Sequence, residues 1–272
     1  MAGEPQTTTA AWQELLEPLR AEPGKAAILT DFDGTLAPIV ERADDVALPD
    51  AARALLPRLV ERYALVGAIS GRRTADVRDR VGVGGLAYAG NHGLELMMPG
   101  DAEPKPDPSV DGREGDTAAF MAAVEPARLD AAGLRLEDKG PIQALHWRGA
   151  ADEAGAEAAA RQIAVEAGRA GLEPHWGRKV LELRPVGGGG KGAAVASILA
   201  GDGVDRVVYA GDDRTDVDAF RRLAELRDAG ELVAAVRVGV LSAEGPPEVA
   251  EESDATVAGP AGWLEILTWL AE

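Results

Sequence analysis

Residues 26–38 read Ala26-Ala27-Ile28-Leu29-Thr30-Asp31-Phe32-Asp33-Gly34-Thr35-Leu36-Ala37-Pro38, and the fold turns on how they are read. The apolar run 26–30 is short and bounded by Pro23 and Gly24, which marks a buried strand. Asp31 and Asp33 are two residues apart, so an extended chain projects both carboxylates to one side. Gly34 lets the backbone turn and Pro38 blocks an immediate helix. An open α/β sheet binds its ligand at the carboxyl ends of its strands. The plainer alternative is a strand that ends in an acidic turn.

The same rhythm extends outward on both sides. Helix 10–20, with Trp12, Leu15, Leu16 and Leu19 on one face, precedes the strand. After a charged loop, Glu41 to Asp45, Pro49 opens a helix whose buried stripe is Leu55, Leu56, Leu59 and Val60. Strand 64–69 runs into Ser70-Gly71-Arg72, a helix follows at 74–81, and strand 86–89 ends in Gly90-Asn91-His92-Gly93. Alternating strands and helices predict a doubly wound, mostly parallel sheet. The Pro- and Asp-rich stretch 99–108 breaks this texture. Beyond it come helix 116–131, strands 133–138 and 142–148, helix 151–170, and strands 172–176 and 179–184. Hairpins at 138–141 and at Trp176-Gly177 make this part antiparallel. The expected division is therefore a core of residues 1–99 and 185–272 with an inserted smaller α/β domain, 100–184. The parallel pattern resumes with helix 191–200, strand 207–210, helix 215–229, strand 232–240, strand 255–257 and helix 261–270.

At 272 residues the chain is long enough for a substantial core and one to two domains. A net charge of -18 argues against nucleic acid or an anionic membrane as the main partner. With no cysteine there is no thiolate nucleophile, disulfide framework or cysteine zinc site. The first residues lack a signal-peptide pattern and no apolar run reaches membrane-spanning length, so the expected location is cytoplasmic.

Three strands end in polar residues suited to one site: Asp31 with Asp33, Ser70, and Asp212-Asp213. Oxygen ligands from Asp31 and Asp212, completed by a backbone carbonyl and waters, suit magnesium (Mg2+). The competing reading of Asp212, Asp213 and Asp216 is a helix N-cap. Lys191 follows Gly187-Gly188-Gly189-Gly190, a loop that can cradle phosphate or serve as a linker. A nucleotide P-loop is excluded, because Pro185 and Gly192 stand where it needs Gly and Ser or Thr. Together these parts suit phosphoryl transfer. Asp31 would attack phosphorus, and Asp33, oriented by Thr35, would act as acid and then base. Ser70, the Gly71 amide and Lys191 would hold the phosphoryl oxygens.

DFDGTLAP, SGR, GGGGKGAA and GDDRTDVDAF, in that order, resemble the four motifs of the haloacid dehalogenase superfamily. The resemblance implies a Rossmann-like hydrolase core, an inserted cap, Asp31 as nucleophile and Asp33 as acid/base. It also implies magnesium bound by Asp31, the Asp33 carbonyl and Asp212, supported by Asp213 and Asp216. Arg72 of the second motif joins the substrate- and phosphate-binding set. GNHGLE at 90–95, KGPIQALHWR at 139–148 and RKVLELRP at 178–185 resemble the trehalose-6-phosphate phosphatases of that superfamily. They imply sugar contacts from Asn91, His92 and Glu95 on the core and from Arg178, Lys179 and Glu182 on the cap. Trp147 and Arg178 depart from the more frequent Tyr and Lys. The plainer readings are sheet packing for His146 and Trp147, a structural or solvent role for His175 and Trp176, a water-facing Glu182, and a tight turn for His92. The expected substrate is a small sugar phosphate, trehalose 6-phosphate, and the expected state is a monomer with a functional link to a trehalose-phosphate synthase. Alternatives are a phosphatase of sucrose phosphate or a glycosylglycerate phosphate, a phosphomutase, and a non-catalytic sugar-phosphate sensor.

Overall fold

Strand β1 (Ala26–Asp31) is buried along its whole length, which its unbroken run of small and aliphatic residues requires. Its side chains alternate between two cores: Ala26 and Ile28 enter one, Ala27 and Leu29 the other. The computed structural model describes residues 9–40, 42, 45–110, 112–113, 115–187, 189–201, 203–243 and 245–272. Of the charged loop 41–45, residues 41, 43 and 44 lie outside the described residues, as does Gly188 of the glycine run.

The chain divides into two compact units, residues 1–105 with 189–272, and residues 106–188. In chain order the first unit continues with β2 (Leu65–Ile69), β3 (Ala87–Gly90), β4 (Glu95–Met97) and β5 (Lys105–Pro106). The second unit holds β6 (Arg135–Asp138), β7 (Gln143–His146), β8 (Leu172–Gly177) and β9 (Val180–Pro185). The first unit resumes with β10 (Arg206–Gly211), β11 (Ala234–Leu241) and β12 (Ala255–Ala258). The helices are α1 (Thr9–Ala21), α2 (Asp50–Arg62), α3 (Thr74–Val81), α4 (Asp116–Ala122), α5 (Pro126–Ala132), α6 (Glu153–Arg169), α7 (Lys191–Leu199), α8 (Arg214–Asp228), α9 (Pro247–Glu251) and α10 (Gly259–Ala271). No helix among the described residues is long and apolar enough to cross a membrane.

The larger sheet runs β12-β11-β10-β1-β2-β3-β4-β5. From β1 the chain winds outward through β2 and β3, then returns to β1's other side and winds outward through β10, β11 and β12. The pairs from β12 to β3 are parallel, and β4 runs antiparallel to β3. The order therefore reverses between β1 and β10, the place where a doubly wound sheet generally binds its ligand, beyond the carboxyl ends of the strands. Trp12, Leu16 and Leu19 of α1, Leu56 and Leu59 of α2, and Trp263 of α10 build the core on one face. Val195 and Ile198 of α7 and Phe220 and Leu223 of α8 build it on the other.

The smaller sheet, β6-β7-β9-β8, is antiparallel throughout. Its apolar face, with Leu145, Leu172, Leu181 and Leu183, packs on Met121, Leu129, Ile163 and Ala167 of the helices of this unit. Ala144, Glu182, Arg184 and His175 occupy positions of opposite parity, on the other face.

Several elements differ from the sequence reading. The helix expected over 116–131 is two helices, because Pro126 has no N–H to donate and disfavours helical geometry at the residue before it. Leu15 is 39% exposed and outside the α1 stripe. The second hairpin turns at Arg178-Lys179, with Gly177 paired to Val180, two residues beyond the expected position. Strand β4 and helix α9 were not anticipated; β4 is three residues long and follows Gly93 too closely for its period to show.

The parallel edge near β11 is tied by a fork: Arg237 donates from Nε and Nη2 to Asp254 at 2.8 and 2.6 Å, and its N–H adds a third bond at 2.9 Å. Burial opposes the Asp254 charge, yet these donors hold its pKa below the usual carboxylate range. Asp254→Asn should lower the unfolding free energy at neutral pH by about 1–3 kcal/mol. Because the folded pKa is depressed, this stabilisation is complete above the unfolded value of 3.8 and is lost as pH falls through the folded one. Denaturant titrations of both proteins should converge in acid; a gap that persists below the folded pKa would contradict the assignment.

Candidate active site

At the reversal point the end of β1 and the loop after β10 face each other. Thr30 is in register with Ala210, so Asp31 and Asp212 leave the sheet side by side. Between them and α7 lies a buried ammonium. Lys191 Nζ donates to Asp31 Oδ1 and to Asp216 Oδ1, each at 2.7 Å, and Asp213 stands 3.6 Å away. The Lys191, Asp31 and Asp216 side chains are 2%, 5% and 0% exposed. Tyr209, on β10, also donates its hydroxyl to Asp216 Oδ1.

Asp213 and Asp216 form the capping box of α8. Asp213 accepts from the Thr215 and Asp216 N–H groups, and Asp216 Oδ2 accepts from those of Asp213 and Asp212. The capping reading of these acids is therefore true and does not compete with a functional one. One cap holds Asp216 against Lys191 and fixes the backbone of Asp212.

Gly34 follows from this packing. Its φ is +90°, and a Cβ there would lie 2.2 Å from Asp212 Oδ2. Thr35, one residue on, donates to Asp212 Oδ1 at 2.8 Å, so its hydroxyl serves Asp212. Asp33 lies outside the buried cluster, and Arg72 grips it with Nε on Oδ2 and Nη2 on Oδ1, both at 2.8 Å. Arg72 was expected among the phosphate and substrate contacts; here its fork holds the acid/base candidate.

After β2, Ser70 is fully buried and its Oγ accepts the Arg72 N–H at 3.1 Å, leaving the hydroxyl proton free to donate. The Gly71 N–H makes no hydrogen bond among the described residues. Asn91 and His92 both adopt left-handed backbone, φ 50° and 56°, which His rarely does. Three bonds hold them there: Asn91 N–H to the Arg72 carbonyl at 2.6 Å, His92 N–H to the Ser70 carbonyl at 3.0 Å, and Gly190 N–H to the His92 carbonyl at 2.6 Å. The His92 ring lies over Gly71, where a Cβ would come within 2.6 Å of it. This turn thus braces the Ser70 loop against the loop before Lys191. Glu95, on β4, accepts from the N–H and hydroxyl of Thr74 and so caps α3.

The remaining expected contacts belong to the second unit, where Glu182 and Lys179 have different partners. Glu182 is 8% exposed, with Lys139 on Oε1 at 2.9 Å and Arg184 on Oε2 at 2.7 Å. Lys179 sits at φ 63° in the hairpin turn and bonds Glu153 at 2.6 Å, and Arg178 beside it is exposed. His146 bonds Glu137 at 2.7 Å, while Trp147 is buried in the core of this unit.

Burial and shared charge set the electrostatics. Burial drives Asp31 well above the ordinary carboxylate value against the pull of Lys191, and drives Asp216 to about 6. Burial also raises Asp212, against the Thr35 hydrogen bond. Lys191 is pushed down by burial, but Asp216, Asp31 and Asp213 more than reverse this and keep it charged. Asp213 is held at about 2, burial being outweighed by Lys191 and Thr215.

Carboxylate oxygens of Asp31, Asp212 and Asp216 lie within 4.8 Å of one another. This is an all-oxygen donor set of the kind a small hard cation takes. Both Asp216 oxygens are already engaged, by Lys191 and Tyr209 on one side and two N–H groups on the other. Asp31 and Asp212 are therefore the residues that fit as direct ligands. Tyr209 was missed by sequence reading because an aromatic in a strand reads as packing. The place of its hydroxyl, opposite Asp216, comes only from the register of β10 with the cap of α8.

The doubly wound sheet that carries this cluster has the fold of haloacid dehalogenase-like hydrolases. The solved structure of a haloacid dehalogenase-like hydrolase from Bacteroides thetaiotaomicron superposes with TM-score 0.64 at 15% identity, covering 90% of this chain and 99% of that one. The Candida albicans trehalose-6-phosphate phosphatase C-terminal domain does so with TM-score 0.73 at 21% identity, covering 95% and 96%. Residues 29–255 match the trehalose-phosphatase family model, and the chain belongs to that family. The trehalose-phosphate phosphatase of Mycobacterium tuberculosis is 37% identical over 211 residues, 71% of this chain and 50% of that protein. A Mycobacterium tuberculosis protein described as an uncharacterised glycosyl hydrolase is 38% identical over 215 residues, 72% of this chain and 15% of that protein. The chain thus spans about half the length of the former and a small part of the latter.

Lys191→Met would leave Asp31 and Asp216 buried without their cation, a change that typically costs about 3–5 kcal/mol. The acids can recover part of this by taking up protons. The loss in unfolding free energy should therefore be larger at pH 8 than at pH 5. Equal losses at both pH values would show that the ammonium does not set the charge balance of the cluster.

Proposed function

We propose that the protein is a magnesium-dependent phosphatase that hydrolyses trehalose 6-phosphate to trehalose and phosphate through an aspartyl-phosphate on Asp31. The observation that carries this reading is the buried Lys191 bridging Asp31 and Asp216 beside the Thr35–Asp212 pair. Membership of the trehalose-phosphatase family and the 37% identity to a trehalose-phosphate phosphatase support the substrate.

In this reading Asp31 attacks phosphorus and the sugar oxygen departs, taking a proton from Asp33. Asp33 then removes a proton from water, which attacks the same phosphorus and releases phosphate and free Asp31. Lys191, the Ser70 hydroxyl and the Gly71 N–H donate to the phosphoryl oxygens as charge builds on them. Asp31 and Asp212 would hold magnesium, with the Asp33 carbonyl as a further ligand. Once bound, the ion would offset the negative charge shared by the phosphoryl group and Asp31. Asp216 and Asp213 keep Lys191 and Asp212 in place.

The unit 106–188 is read as the cap that selects the sugar, with Glu182 as its directional acceptor and Lys139 and Arg184 as donors beside it. A cytoplasmic monomer with a functional link to a trehalose-phosphate synthase belongs to the same reading.

Phosphate release should be measured from trehalose 6-phosphate, sucrose 6-phosphate, glucose 6-phosphate and glucosylglycerate phosphate, with magnesium and with a chelator. Trehalose 6-phosphate should be preferred, chelation should abolish turnover, and Asp31→Asn should be inactive while still folded. Preference for another sugar phosphate would overturn the substrate; chelator-resistant turnover would overturn the metal. Glu182→Ala should reduce turnover of trehalose 6-phosphate about tenfold or more while sparing a small aryl phosphate. Equal losses on both would remove Glu182 from sugar recognition.

A further inference from the structure

Tyr209 is fully buried in β10, and the proposed chemistry does not call on it. Its ring packs edge-on against Phe220 of α8, 5.9 Å between centroids, in the core on the α7 and α8 face of the sheet. Its hydroxyl donates to Asp216 Oδ1, the same oxygen that accepts from Lys191 Nζ. A carboxylate oxygen has two lone-pair sites, so these two donors fill Oδ1 between them. Asp216 Oδ2 is filled as well, by the N–H groups of Asp212 at 3.0 Å and Asp213 at 2.9 Å. Asp216 therefore meets Lys191 through a single lone pair and has no other to offer it.

We propose that Tyr209 is a positioning residue for the reaction: its hydroxyl fills one side of Asp216 Oδ1 and so confines the Lys191 ammonium to the side it shares with Asp31. This rests on the reading of Lys191 as a donor to the phosphoryl oxygens. An ammonium carries three N–H donors. Asp31 Oδ1 and Asp216 Oδ1, each at 2.7 Å, take two of them, which sets the direction of the third. Without the Tyr209 hydroxyl, Nζ can slide round Oδ1 into the vacated position, at the expense of its bond to Asp31 and of the aim of its third donor. A donor that must be realigned during reaction stabilises the transition state less. The plainer role of Tyr209 is core packing, with its hydroxyl taking a nearby acceptor. That role would alter stability and leave the chemistry alone.

Two variants separate the roles. Tyr209→Phe removes the hydroxyl and keeps the ring, whereas Phe220→Leu loosens the same packing and keeps the hydroxyl. Values of kcat and KM for trehalose 6-phosphate, and the inhibition constant of orthovanadate, should be measured for both, with Lys191→Met as the reference. Orthovanadate takes up the five-coordinate shape that phosphorus has during transfer. Neither KM nor an inhibition constant depends on the fraction of active protein, so partial misfolding does not disturb them. Tyr209→Phe should lower kcat about five- to tenfold and weaken orthovanadate by a similar factor, with KM changed less than about twofold. Phe220→Leu should unfold at lower denaturant while kcat per folded protein, KM and the inhibition constant stay unchanged. Lys191→Met should lose about a hundredfold or more in kcat per folded protein. Unchanged kcat and orthovanadate inhibition in Tyr209→Phe, while Lys191→Met loses activity, would overturn the proposal alone. A loss expressed only in KM, or an equal weakening of orthovanadate in Phe220→Leu, would also overturn it. Full kcat in Lys191→Met would overturn the reading of Lys191 and this proposal with it.

Discussion

A lysine ammonium almost out of contact with water must be surrounded by negative charge or give up its proton. Lys191 is surrounded: Asp31, Asp216 and Asp213 all approach it, and Tyr209 closes the far side of Asp216. The arrangement draws on three separate parts of the chain, the end of β1, the start of α7 and the start of α8. Burying such a cluster is unfavourable unless each oxygen and each N–H finds a partner. The capping box of α8 supplies those partners for Asp216, and Thr35 supplies one for Asp212. Once the cluster is assembled, the reversal point of the sheet is fixed along with it.

The loops around the cluster are shaped by close approach. Gly34 admits the Asp212 carboxylate, Gly71 admits the His92 ring, and Asn91 and His92 accept left-handed backbone so that three N–H groups meet three carbonyls. These contacts tie the loops that carry Ser70 and Lys191 to each other. Rigidity of this kind suits the proposed phosphoryl site, since donors that must reorganise during reaction contribute less. Asp33 is the contrasting case: a partly exposed carboxylate gripped through both oxygens by the Arg72 guanidinium.

Much of this was legible in the residue order. Strand β1, the alternation of strands and helices, the acids at 31 and 212 and the lysine after the glycine run can all be read from periodicity and residue type. The turn at 178–179 and the break at Pro126 were misjudged by a few residues, because hairpin register and helix ends depend on packing as well as on local propensity. Partnerships were less legible. Arg72 looked like a phosphate ligand and forks onto Asp33, and Glu95 looked like a sugar contact and caps α3. A charged side chain has several chemically reasonable partners, and sequence spacing says nothing about which one lies within 3 Å.

The sequence by itself determined the doubly wound sheet, the order of its motifs and the residues capable of phosphoryl chemistry, because burial periodicity and glycine placement are local properties of the chain. Only the tertiary structure decided which acid meets which base. Lys191 lies 160 residues from Asp31 and 25 from Asp216, and its two 2.7 Å bonds exist because parallel pairing of β1 with β10 brings both ends to one edge. Tyr209 meets Asp216 in the same way, through the register of β10 with the cap of α8. Such contacts are set by the closing of the sheet, and no local rule of sequence encodes them.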